Sequence, residues 1–132
     1  MRAGVAAFAS IFVVACTTTP GAFCASGEKM AVADTLYFGT EKPGGPVTPA
    51  EWNEFLANAV TPLFPDGLTV WPATGQWKSA GGIVREGSYV LSLVHADDAA
   101  SENAIREIVQ AYKTQFHQEA VLRSRTTTCM SL

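Results

Sequence analysis

The sequence has little charge, few histidines and no surplus of basic side chains. Lysine and arginine number 9 against 12 aspartates and glutamates, so the net charge of −3 offers no positive field to a phosphate backbone. Two histidines and three cysteines without a CxxC pair do not supply the ligands of a structural zinc site. We therefore expect no nucleic-acid partner and no metal.

Long hydrophobic runs and catalytic motifs are also missing. The apolar run Val5–Val14 has ten residues, whereas a helix that spans a bilayer needs roughly 20. The sequence contains no nucleophile elbow, no HExxH motif and no phosphate-binding glycine loop. These absences leave no cofactor and no specific reaction to predict.

The N-terminus has the features of an export signal. A positive residue precedes the run Val5–Val14, and small residues follow it. The next residues, Val13-Val14-Ala15-Cys16, resemble the lipobox of bacterial lipoproteins, in which the cysteine is diacylated and becomes the first mature residue. Ordinary signal cleavage near Cys24 is the alternative.

The lipobox resemblance implies a location for the protein. It predicts a signal peptide at 1–15, lipidation of Cys16 and a flexible tether at 16–33. Two acyl chains hold a protein stably on a membrane. Thr17, rather than aspartate, after the cysteine favours the outer membrane on its periplasmic side. With ordinary cleavage, the protein is instead soluble in the periplasm or secreted.

Residues 34–132 are predicted to form a single α+β domain. Strands are predicted at Thr35–Thr40, at Leu68–Trp71 resuming at Gly75–Lys78 after Pro72, at Ile83–Ala96 and at Val121–Met130; helices are predicted between a capping box at Thr48 and a stop at Pro62, and from an N-cap at Ser101 through Phe116. The order β-α-β-β-α-β is the ferredoxin-like plan. It implies a four-stranded antiparallel sheet of order 4-1-3-2 with both helices on one face.

Cys24 and Cys129 are predicted to form a disulfide. In this sheet order the last strand runs antiparallel to the first, which brings Cys129 toward the segment that contains Cys24. An oxidising compartment allows such a bond, and a loop of about 100 residues gives roughly 4–5 kcal/mol in the chain-entropy model. Two free thiols are the alternative.

Glu86 is the candidate catalytic residue. It lies in the middle of the third predicted strand, and its face also carries Val84, Val90 and Val94. A carboxylate among apolar side chains is suited to general acid or base catalysis. The alternatives are an ion pair with a basic side chain and simple exposure at the sheet surface.

Four further residues are candidate ligand-binding residues. Gln76, Trp77 and Arg85 lie near Glu86 in the hairpin of strands two and three, and Tyr37 lies in strand one. Aromatic rings of this kind stack against ligands, although more often they close the edge of a core.

Several spaced motifs together resemble one known family. The motifs are Leu36-Tyr37-Phe38-Gly39, Trp52, Thr61-Pro62, Phe64-Pro65-Asp66-Gly67-Leu68-Thr69, Gly75-Gln76-Trp77, Arg85-Glu86, Tyr112-Lys113, Phe116, Gln118, Glu119 and Val121. The family comprises small exported bacterial proteins, many of them lipoproteins, and is described as a domain of unknown function. The resemblance spans about Asp34 to Leu132 and implies no reaction. Leu63 stands where the family has a basic residue, usually arginine.

Two functions are compatible with these patterns. The first is a non-enzymatic binding or assembly module of the cell envelope, which uses the sheet face that the helices leave open and pairs across that face as a homodimer. The second is a small cofactor-independent enzyme of the dimeric α+β-barrel type, with Glu86 as the general acid or base. Neither of these two functions specifies a ligand.

Overall fold

The computed structural model describes residues 24–132, which form a four-stranded antiparallel sheet with two helices packed on one face. The elements are β1 (Lys29–Gly39), α1 (Pro49–Phe55), β2 (Thr69–Ser79), β3 (Gly82–His95), α2 (Ala99–Phe116) and β4 (Leu122–Met130). The strand order β2-β3-β1-β4 equals the predicted order 4-1-3-2. The ferredoxin-like α+β fold is therefore confirmed. The predicted signal peptide and Cys16 lie outside the described residues.

Strand β1 is longer than predicted. It begins at Lys29 rather than Thr35, because its first half pairs with β4 in a register that runs from Lys29↔Met130 to Tyr37↔Leu122. The last five residues of the predicted tether, 29–33, therefore belong to the sheet. Ala31 in this half is buried, but an alanine-rich segment carries no local β signal.

Strand β2 is continuous where a break was predicted at Pro72. The strand pairs with β3 from Thr69↔Ser92 to Ser79↔Gly82 without interruption. Proline has no N–H to donate, and it is tolerated here because β2 is an edge strand of the sheet.

The predicted capping box begins the first helix. The Glu51 amide donates to Thr48 Oγ1 at 3.3 Å, and the Thr48 amide donates to Glu51 Oε2 at 2.8 Å. After α1 the chain continues in a π-helical turn, Leu56–Val60, in which the Thr61 amide donates to the Leu56 carbonyl at 2.8 Å. Pro62 follows and cannot donate, so the helix ends there.

The second helix begins earlier than predicted. Asp98, not Ser101, is its N-cap, and Asp98 Oδ1 accepts the Ser101 amide at 2.7 Å. A carboxylate is well suited to this position because it satisfies a free amide and opposes the positive end of the helix dipole. None of the helices within residues 24–132 is long and apolar enough to cross a membrane.

An aromatic cluster fills the space between the helices and the sheet. Phe38 of β1 contacts Tyr112 of α2 with ring centroids 4.6 Å apart, and Trp52 of α1 stacks almost parallel on Tyr89 of β3 at 4.6 Å. The Tyr112 hydroxyl donates to the Gly39 carbonyl at 2.8 Å, and burial raises the pKa of this hydroxyl. The cluster fixes the helices on one face and leaves the other face of the sheet uncovered by them.

Candidate functional site

The open face is the surface of the sheet that points away from both helices. It consists of alternate residues from Lys29 to Gly39 in β1, Thr69 to Trp77 in β2, Val84 to Val94 in β3 and Leu122 to Met130 in β4. Successive side chains of a strand point to opposite faces, and the pairing has no interruption, so these residues share one side.

A row of large apolar side chains crosses the open face. The register places Trp71 of β2 opposite Val90 of β3, Val90 opposite Tyr37 of β1, and Tyr37 opposite Leu122 of β4. Tyr37 is 40% exposed and Trp71 is 42% exposed, whereas Val90 lies buried between them. A further tryptophan, Trp77, is 44% exposed near the end of β2. Large exposed aromatic surface of this kind marks interaction sites.

The open face has one charged side chain of each sign. Among the paired strand residues that point to this side, only Lys29 and Glu86 are charged. Neither forms an ion pair with any residue in the range 24–132. The other cations of the sheet, such as Arg123 and Arg125 of β4, point to the helix side.

Glu86 is held by the backbone at the end of β1. Its Oε2 accepts the Glu41 amide at 2.9 Å. Its carboxylate also lies over Gly39, where a Cβ would stand 2.8 Å from Glu86 Oε1. The absence of a side chain at Gly39 therefore makes room for Glu86, a relationship that the sequence motifs did not reveal.

The structure separates the five predicted site residues into a group of three and a pair. Gln76 lies opposite Arg85, whose Nε donates to Gln76 Oε1 at 3.3 Å, and both point to the helix side of the hairpin. Trp77 lies opposite Val84 on the open face, which also carries Glu86. Tyr37 is on the open face as well. The open face thus gathers Glu86, Trp77 and Tyr37, and it excludes Gln76 and Arg85.

A buried ionic cluster on the helix side was not predicted from the sequence. Arg123 contacts both carboxylate oxygens of Asp34, with Nε–Oδ1 and Nη2–Oδ2 distances of 2.7 Å, and it also binds Glu102 in a bidentate manner at 2.8 and 3.0 Å. Asp34 is fully buried. Burial alone would raise the pKa of Asp34, but hydrogen bonds from Arg123 and His95 outweigh it and lower that pKa.

His95 joins this cluster, and each of its two ring nitrogens lies near an acceptor oxygen. Its Nδ1 lies 2.8 Å from the Ala96 carbonyl oxygen, and its Nε2 lies 2.9 Å from Asp34 Oδ2. A neutral imidazole has only one N–H to donate. The tautomer decides which of the two contacts is a hydrogen bond donated by the ring. The cluster therefore forms a structural network in which every buried side-chain polar atom described has a partner.

Two shallow hollows flank the helices. One, of about 430 Å³, lies between α2 and β4, with Ile105, Val109 and Val121 among its apolar lining. The other, of about 190 Å³, lies beside β2 and is lined by Trp52, Tyr89 and other residues. The charged residues of the larger hollow, Glu102, Arg106 and Arg123, are already paired with one another or with Asp34, so they leave little free charge to bind a ligand.

The predicted disulfide is present between Cys24 and Cys129. Their Cα atoms are 5.4 Å apart, and the bond joins residues separated by 105 positions. Glu28 lies close to both sulfurs, and these three residues are a possible metal-ligand group within residues 24–132. In the disulfide neither sulfur is a thiolate, which is the form that binds metals.

Residues 33–132 match the model of a family described as "Protein of unknown function (DUF3574)". The chain belongs to this family. The matched range is almost the same as the range Asp34 to Leu132 over which the sequence motifs resemble a family of unknown function. The match therefore confirms that the chain belongs to a domain family of unknown function. No curated protein matches the chain at a significant level.

Solved structures of other proteins share this fold. A phage SAM lyase in complex with S-methyl-5'-thioadenosine is 12% identical, with a TM-score of 0.59 over 86% of this chain and 97% of that chain. CutA from Synechococcus elongatus, complexed with a Bis-Tris molecule, is 16% identical, with a TM-score of 0.53 over 80% of this chain and 88% of that chain. At such low identity these similarities establish the fold alone.

Proposed function

We propose that this protein is a binding or assembly module of the bacterial cell envelope and that the open face is its interaction surface. One observation carries the proposal. Tyr37, Trp71 and Trp77 are exposed on the same face as Glu86, a carboxylate without a cationic partner in the described chain. Aromatic side chains provide much of the binding energy at protein interfaces.

The location in the envelope rests on other features. The disulfide between Cys24 and Cys129 fits an oxidising compartment. The lipobox resemblance at Cys16 supports a diacyl anchor, on the periplasmic side of the outer membrane. The disulfide attaches Cys24 to β4, so in this proposal residues 17–23 link the lipidated Cys16 to the domain.

Hydroxyl-radical footprinting of intact cells and of diluted, purified protein tests this function. We expect Trp71 and Trp77 to be oxidised several-fold more slowly in the cell envelope, because a partner covers them there. Ile83 is the matched control, since it is 61% exposed but points to the other side of the hairpin. Equal oxidation of the tryptophans in both samples would show that the open face has no partner.

A small cofactor-independent enzyme is the second candidate. The observation in its favour is that the Glu41 amide fixes one carboxylate oxygen of Glu86, Oε2, while the other, Oε1, accepts no hydrogen bond from residues 24–132. Such a fixed carboxylate is able to accept a proton from a ligand on the open face. The probe is a metabolite extract of the host, incubated with the protein and followed by mass spectrometry. Consumption of a metabolite that Glu86→Gln abolishes would support the enzyme, because glutamine retains an oxygen for the Glu41 amide.

A further inference from the structure

The two unpaired charges of the open face lie at opposite ends of β1. Lys29 is the first residue of the strand, and Glu86 lies over Gly39, its last residue. At about 3.3 Å per residue, the ends of the strand are roughly 33 Å apart. This distance prevents the two side chains from pairing within one chain. Lys29 and Glu86 are therefore both available for an ion pair with a second molecule.

We propose that the open face binds the open face of a second copy of this chain, with the strands of the two sheets antiparallel. This inference rests on the proposed function and names a partner for the part of the open face formed by β1, β3 and β4. Strand β2 extends from the level of Thr35 away from Lys29, so this partner leaves Trp77 uncovered. A two-fold axis that crosses the strands at the level of Thr35 places Lys29 of one protomer over the level of residue 41 in its partner. Glu86 lies there, bonded to the Glu41 amide. Two Lys29–Glu86 ion pairs then form, one at each end of the interface.

The apolar residues match under the same rotation. Tyr37 and Ala33 lie at equal distances on either side of Thr35, so the large ring of one protomer faces the small side chain of the other. In β3, Val90 is opposite Tyr37 and Val94 is opposite Ala33, so Val90 faces Val94 of the partner subunit. Val94 is 45% exposed in the single chain. A self-complementary surface of this kind is what a two-fold interface requires.

The charge pattern favours this axis over one parallel to the strands. An axis parallel to the strands keeps each residue at its own level, so both Lys29 side chains would lie at one end of the interface and both Glu86 side chains at the other, where like charges repel.

Sedimentation equilibrium with charge-reversal variants tests the dimer. All variants carry Cys16→Ser, which removes the acyl anchor as a source of association. We expect a dimer whose dissociation constant rises about tenfold or more in Lys29→Glu and in Glu86→Lys at low salt. The double variant Lys29→Glu with Glu86→Lys should restore the parent value, because the pairs form again with exchanged signs. Lys78→Glu is the control, a lysine of the same sheet that points to the other side.

Three results would overturn the inference: a monomer at all concentrations, a dimer that neither reversal weakens, or a double variant no better than the single ones. Glu86→Lys also loses the bond to the Glu41 amide, so its fold is checked by circular dichroism. Lys29→Glu removes no hydrogen bond or ion pair described within the chain. If Glu86→Lys does not fold, the dissociation constant of Lys29→Glu alone tests the dimer. A monomer whose Trp71 is still protected in cells would refute the dimer but leave the proposed interaction surface intact.

Discussion

Arg123 contacts both carboxylate oxygens of Asp34 at 2.7 Å, although 89 positions separate the two residues in the chain. The pair joins β4 to β1 across the core side of the sheet, and His95 of β3 binds the same carboxylate at 2.9 Å. Three adjacent strands are thus connected through one buried carboxylate. A buried ion pair of this kind specifies a register more than it adds stability, but the loss of one partner is costly.

Asp34→Asn should destabilise the protein by about 3 kcal/mol, because Arg123 and His95 then face a neutral amide in a buried position. Urea unfolding monitored by tryptophan fluorescence measures this change. The control is Arg106→Gln, which breaks only an exposed pair with Glu102 on α2, and which should cost less than about 0.5 kcal/mol. Equal effects of the two substitutions would contradict the role assigned to Asp34.

Stability should fall in acid between about pH 4.5 and pH 2. Hydrogen bonds from Arg123 and then Arg106 lower the pKa of Glu102 from 4.5 to about 2, and the pKa of Asp34 is lowered as well. The folded protein therefore holds these protons more weakly than the unfolded chain. The stabilisation is complete above the unfolded pKa and is lost as the pH falls through the folded pKa.

Thermal unfolding midpoints measured from pH 7 to pH 2 check this dependence. Glu102→Gln removes one of the two carboxyl groups and should make the acid decline shallower, while it lowers the midpoint at pH 7. The prediction is wrong if the variant and the parent protein lose stability in parallel.

Reduction of the disulfide should destabilise the fold by up to about 5 kcal/mol, because the Cys24–Cys129 bond closes almost the whole domain and restricts the unfolded chain. The experiment compares urea midpoints with and without a thiol reductant in a Cys16→Ser background. The paired variant Cys24→Ser with Cys129→Ser is the control, and its midpoint should not respond to the reductant. A parent protein equally insensitive to it would show that the bond does not constrain the chain.

Gly39→Ala should displace the Glu86 carboxylate and weaken its bond to the Glu41 amide, at a cost of about 1 kcal/mol. In a Glu86→Ala background the same substitution should cost much less, because the obstructing carboxylate is gone. Gly75→Ala is the matched control, since a Cβ at Gly75 meets no atom within 4 Å. A double-mutant cycle of unfolding free energies measures the coupling between Gly39→Ala and Glu86→Ala. Additive effects of the two substitutions would contradict a contact between the Gly39 position and the Glu86 carboxylate.

Cys16→Ser should abolish acyl labelling and release the protein from membranes. Two acyl chains anchor a protein stably, whereas the domain described here has no membrane-spanning helix of its own. Metabolic labelling with a fatty-acid analogue, followed by membrane fractionation, measures both effects. Unchanged membrane retention would contradict the predicted lipidation of Cys16 and favour ordinary signal cleavage.

Local patterns were sufficient for the predicted secondary structure. The capping box of Thr48 and Glu51, the stop at Pro62 and the alternation in β3 each depend on residues within one turn or a few positions, so the sequence alone located these elements. The order of elements then restricted the sheet to few arrangements. The observed order agrees, and it explains why the pairing of Cys24 with Cys129 was predictable.

Contacts between distant residues were decided only by the tertiary structure. Asp34 shows no local sign of its burial, because its partner Arg123 is 89 positions away. The same holds for Glu86, whose backbone partner Glu41 is 45 positions away. A strand pattern predicts which residues share a face of their own strand, but only the register between strands determines what each side chain meets. The sequence thus determined the fold and its candidate residues, and the pairing of strands decided which of them stand together on the open face.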